Sequence, residues 1–205
     1  MQKAMTLPVE SEEVRGVSVA GLVRGGGILA IIVGTSTVLL PVIHPHSPQS
    51  AAWVPVHLAS FAALIGLLLV LVGIFARQMP RAGKLGVARF LAAFVGTAMI
   101  VMEGREHIFS PDFGAGVPLG LWELVLASFV FSVGYTLLGA SIARAGVLPR
   151  GAGVLLAVSG PVVAFSPPIG IPAVIIVSHT IFGVGLTWVG YALWSGEKTR
   201  KGIVE

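Results

Sequence analysis

The sequence predicts an all-α integral membrane bundle of six transmembrane helices. Three observations predict it. The 205 residues are 55% hydrophobic and only 11% charged, where a soluble domain carries about 25% charged residues. Mean hydropathy is +0.94. The apolar residues fall into runs near the length of about 20 residues that a helix needs to cross a bilayer. The same figures exclude a disordered chain and a soluble globular domain. The absence of cysteine excludes a disulfide scaffold, thiolate nucleophiles, Cys-ligated zinc and iron–sulfur clusters. A pI near 10.0 would suit nucleic acid. Here the basic residues lie in short connectors between apolar runs, so no nucleic-acid partner is expected.

The first span covers residues 25–43, with Arg24 at its start. The second covers 51–76 and has no charge over 62–75. The third covers 85–102 and carries Arg89 near one end. The fourth covers 119–143, with Glu123 near its start. The fifth runs from 151 to about 165 and stops at Ser166-Pro167-Pro168. Pro161 interrupts it, so a tilt or break is expected there. The sixth covers 173–194. Residues 1–16 read as a polar cytoplasmic tail with Glu10, Glu12 and Glu13, not as a cleavable signal peptide. The transmembrane domain then occupies 17–195, and 196–205 form a second cytoplasmic tail.

Orientation follows from Lys and Arg. Twelve of the 13 basic residues fall on one side of the predicted topology, and only Arg105 falls on the other. Both termini are therefore expected in the cytoplasm. Trp53 and Trp122 then lie at the outer interface and Trp194 at the inner one, as in an aromatic belt.

The chain also carries an internal repeat. Leu58-Ala59-Ser60-Phe61 recurs as Leu126-Ala127-Ser128-Phe129, and a glycine follows eight residues after each leucine, at Gly66 and Gly134. Ala76-Arg77 and Pro80-Arg81 match Ala143-Arg144 and Pro149-Arg150 with one-residue gaps. Helices 2–3 thus read as a parallel copy of helices 4–5.

There are 27 glycines, many within spans, where small residues let helix backbones approach. His179, Gly183, Thr187 and Gly190 share one face of the sixth span, and Gly96, Glu103 and His107 share one face of the third. Both faces are expected to point into the bundle. Gly34-Thr35-Ser36-Thr37 reads as a packing patch whose hydroxyls bond back to their own helix.

All five histidines map to the outer half, and so do Glu103, Glu106, Asp112 and Glu123. Ionisable groups at membrane depth are costly and mark candidate sites. Each also has a plainer role. His44-Pro45-His46-Ser47-Pro48 reads as an exposed loop, with one histidine able to face the bundle. His57 can snorkel to the interface. Glu103 and His107 can pair within a solvated helix end, although their spacing of four also suits two ligands to one ion. Glu123 can pair with Arg105. His179 lies about two turns deep, and its plainer role is a neutral imidazole bonded to a facing helix.

Three chemistries fit. One is haem b held by His57 and His179. Another is zinc, copper or iron held by His57, Glu103, His107, Glu123 and His179, with water activation at the ion if it is catalytic. The third needs no cofactor: a lipid, quinone or small ligand between helices. An accessory subunit of a larger membrane complex and a homo-oligomer complete the readings. The sequence lacks HExxH, GxSxG, Walker A and GxGxxG-acid motifs, and it names no reaction.

His44-Pro45, Val56-His57-Leu58, Gly73-Ile74-Phe75-Ala76-Arg77, Gly146-Val147-Leu148-Pro149-Arg150 and Gly190-Tyr191-Ala192-Leu193-Trp194 together resemble uncharacterised small multi-pass proteins of bacterial inner membranes. The resemblance covers most of residues 20–195 and implies neither an activity nor site residues.

Overall fold

The computed structural model describes the backbone of residues 18–44, 50–109 and 121–201. Side chains are described there except at 80–82, 103–109, 121, 168 and 197–201. The described chain is helical and contains six helices long and apolar enough to cross a membrane. Helix α1 is Val19–Ile43. The next helical run, Trp53–Phe109, is broken at Gly83 (φ 53°, ψ −172°), a conformation that only glycine adopts without strain. It divides into α2 (Trp53–Met79) and α3, whose apolar part is Gly83–Met102. Then follow α4 (Leu121–Ala145), α5 (Arg150–Ile169) and α6 (Pro172–Lys201).

Each helix packs on the next, and α6 returns to α1. The contacts all run antiparallel. Gly26 opposes Gly73, and Gly66 opposes Val33, which sets one register for α1 and α2. Gly27 opposes Gly190, and Gly34 opposes Gly183, which does the same for α1 and α6. A methyl at Gly190 would stand 2.6 Å from the Gly27 carbonyl oxygen, and one at Gly34 would stand 2.6 Å from the Gly183 carbonyl oxygen. Backbone thus lies against backbone. The Thr187 side chain completes the contact at Gly34. The small-residue face of the sixth span is therefore a packing face for α1. Thr37 donates to the Val33 carbonyl (2.8 Å), as expected for a patch bonded to its own helix.

At mid-depth the centre is filled by rings. Phe131 stacks on Tyr135 with centroids 4.3 Å apart, and Phe182 meets Tyr135 edge-on at 5.0 Å. The Thr97 hydroxyl donates to the Ala93 carbonyl (2.8 Å), so the fully buried Tyr135 hydroxyl donates to Thr97 Oγ1 (3.2 Å). Leu69, Val95, Phe129 and Val158 point outward. In water such a surface would aggregate; against lipid tails it is the expected one.

Helix α5 differs from its sequence reading. It neither breaks nor ends at Pro161 but continues to Ile169, where Gly170 (φ 71°) caps it by donating to the Ser166 and Pro167 carbonyls. Each proline lacks an N–H and leaves the carbonyl four residues earlier without its helical partner. Those carbonyls belong to Ala157, Val163 and Ala164. Thr136 of α4 donates to Ala157 (3.3 Å), Ser166 donates to Val163 (3.0 Å), and Ser128 of α4 donates to Ala164 (3.0 Å). The helix stays whole because hydroxyls replace the three missing donors.

Two outcomes check this packing. Gly34→Leu forces α1 and α6 apart and lowers stability by about 1–3 kcal/mol or more, read as a lower unfolding temperature in detergent. Leu69→Ala, on the outward surface, leaves that temperature nearly unchanged.

Candidate functional site

The end of the bundle where α1 stops and α2 starts carries the described histidines. The glycine register of α1 and α2 holds the first residue after α1, His44, beside the first turn of α2. There His44, Trp53 and His57 form one cluster. The His57 ring stacks on Trp53 (centroids 4.1 Å, planes 30° apart), and His44 meets His57 edge-on at 4.9 Å. His57 Nδ1–H donates to the Trp53 carbonyl (2.8 Å). In the neutral ring that bond leaves Nε2 as the lone-pair nitrogen. His57 is half-buried, and His44 is exposed.

His179 lies one turn before Gly183 on α6 and is half-buried. Its Nδ1–H donates to the Ile175 carbonyl (2.8 Å), so its Nε2 is again the lone-pair nitrogen. Beside it runs a buried row of hydroxyls. Ser178 Oγ lies 3.5 Å from His179 Nδ1 and 3.4 Å from Ser166 Oγ. Ser166 and Ser128 bond adjacent carbonyls of α5, and Ser132 donates to the Ser128 carbonyl (2.6 Å). This row links α4, α5 and α6 at the level of His179. No ring contact or hydrogen bond joins His179 to His57 among the described residues.

Glu123 occupies the first turn of α4 and is half-buried. There the helix dipole favours a carboxylate. The side chains of Glu103 and His107, with Arg105 and Glu106, lie outside the described residues, as do His46 and Asp112. Among the described residues, no group of three or more His, Asp or Glu gathers closely enough to hold a metal ion.

A groove of about 370 Å³ opens between α4 and α5, lined by Phe129, Ser132, Val133, Thr136, Leu137, Pro161 and Phe165. Its walls are apolar. Its polar atoms are the hydroxyls of Ser132 and Thr136, the latter bonded to the Ala157 carbonyl that Pro161 releases.

Two features escaped the sequence reading. The approach of His44 to His57 depends on helix register, which no local pattern encodes. The serine row had a partial signal, because each proline names the carbonyl it releases. Which hydroxyl answers it is a matter of tertiary contact.

The comparisons with known proteins add no identity: the chain matches no protein-family model, no curated protein and no solved structure.

Ser128→Ala is expected to lower stability by about 1 kcal/mol, because the Ala164 carbonyl loses its donor. Ser60 bonds only within its own helix, donating to the Val56 carbonyl (2.9 Å). Ser60→Ala therefore serves as the neutral control, with both variants read by unfolding in detergent.

Proposed function

We propose that this multi-pass protein resides in a bacterial inner membrane with both termini in the cytoplasm. We propose further that it holds a metal ion or haem b in the outer half of its bundle through His57 and His179, in a redox-related role. One observation carries the reading: both imidazoles donate Nδ1–H to a backbone carbonyl at 2.8 Å. Such a bond orients a ligating histidine and raises the basicity of its other ring nitrogen. The same proposal assigns Glu123, Glu103 and His107 as further oxygen and nitrogen donors. Imidazole and carboxylate together suit zinc, copper or iron. Of the two cofactors the ion fits the packing better, since Phe131, Tyr135 and Phe182 fill the interior about one turn from His179.

A second reading draws on the groove between α4 and α5. Its apolar walls and two hydroxyls suit a lipid, quinone or other small apolar ligand entering from the bilayer, with no cofactor.

The duplication of helices 2–3 as helices 4–5 belongs to the same proposal. Its support is that Gly66 packs on the preceding helix α1 and Gly134 on the preceding helix α3.

The test is an absorption spectrum of detergent-purified protein, oxidised and reduced, with elemental analysis of the same sample. The expected result is one equivalent of zinc, copper, iron or haem per chain, lost in both His57→Ala and His179→Ala. A colourless, metal-free sample overturns ligation and leaves the groove reading, which then predicts lipid or quinone in the organic extract. Orientation has its own test, made simple by the absence of native cysteine. Ala51→Cys should react with an impermeant maleimide from outside, and Ala145→Cys should not.

A further inference from the structure

We infer that His44 and His57 form a chelating pair for one divalent transition-metal ion at the mouth of the α1–α2 hairpin. The inference rests on the metal reading above and adds a ligand, His44, that the reading lacks.

An imidazole nitrogen binds its ion at about 2.0–2.1 Å, which places the ring centroid about 3.2 Å from the metal. Two rings on one ion are then about 4.5 Å apart for a right-angled pair and about 5.2 Å apart for a tetrahedral one. The centroids of His44 and His57 are 4.9 Å apart, between those limits, and their planes cross at 64°. Two rings bound to one ion seldom lie coplanar, so the crossing is compatible with shared ligation.

The surroundings agree. The bond from Nδ1 to the Trp53 carbonyl directs the lone pair of His57 to Nε2. The stack of Trp53 on His57 at 4.1 Å holds the ring plane, so the nitrogen is pre-oriented. Backbone contacts at Gly26 with Gly73 and at Gly66 with Val33 set the register that brings His44 to this level. The pair thus sits on two helix ends joined by close packing rather than on a free loop. His44 is exposed, so a hydrated ion reaches the site from the aqueous phase without crossing the bundle. Two neutral imidazoles bind zinc, nickel and copper, with copper(II) the tightest.

The experiment titrates copper(II), and separately zinc, into the full-length, metal-free protein in detergent. The variants are His44→Ala, His44→Phe, His57→Ala and His179→Ala, each checked for a single monodisperse peak. His44→Phe keeps an aromatic edge against His57 and removes both ring nitrogens. Affinity, stoichiometry and the number of nitrogens coupled to copper in the electron paramagnetic resonance spectrum are read.

The inference expects one ion per chain. It expects affinity to fall about tenfold or more in both His44 variants, with one coupled nitrogen lost. Wild-type binding and an unchanged nitrogen count in His44→Phe overturn it and reduce His44 to a packing ring. If His57→Ala and His179→Ala lose the ion while His44→Phe does not, the metal reading stands and the pair falls. If His44 and His57 variants lose it while His179→Ala does not, the pair stands and ligation by His179 falls. No binding in the parent protein overturns both.

Discussion

Inside a bilayer no water is available to a backbone group that has lost its helical partner. That constraint decides how α4 and α5 are arranged. Three prolines release three carbonyls in α5, and an unanswered carbonyl at that depth costs several kcal/mol. Thr136 and Ser128 answer two of them from α4, and Ser166 answers the third. The α4–α5 contact is therefore specified by polar groups rather than by shape alone. The same hydroxyls lie beside the groove and beside His179. Integrity of the fold and polarity of the candidate site share their atoms.

The rest of the bundle is held by close approach. Lipid tails are as apolar as leucine, so burying a leucine between helices gains little from the hydrophobic effect. Glycine solves this by bringing main chains together, as Gly27 and Gly34 do with Gly190 and Gly183. The buried residues of α1, α2 and α6 concentrate in the half that holds the start of α1 and the end of α6. At the other end packing is looser, and the imidazoles of His44, His57 and His179 are found there. A tightly packed half that anchors helix register and a looser half that presents ligating groups form one design. The first positions the second.

Much of the fold was legible because its signals are local. Runs of apolar residues, their length and the interruptions between them need no knowledge of neighbours, and all six spans appear as helices. The shared face of His179, Gly183, Thr187 and Gly190 was legible for the same reason, since helical periodicity alone defines it. Its use against α1 is a property of the partner. Pro161 misled because a proline in isolation weakens a helix. The helix here survives through hydroxyls that lie on another span or three residues beyond the carbonyl they answer. The candidate site was less legible. His57 and His179 stand out as ionisable groups within apolar runs, and each makes the same local bond four residues back, which sequence distance allows. His44 looked like part of a loop, and nothing in its immediate neighbours ties it to His57.

Composition and hydropathy by themselves determined that this chain is a six-helix membrane protein, because the lipid solvent tolerates few alternatives. They also determined where charge and histidine accumulate along it. Only the tertiary structure decided which helices touch, that α5 continues through three prolines, and that His44 and His57 meet. Those outcomes depend on backbone contacts between glycines and on single hydrogen bonds between distant residues. Such contacts are settled by three-dimensional register, which the order of residues along one helix does not contain.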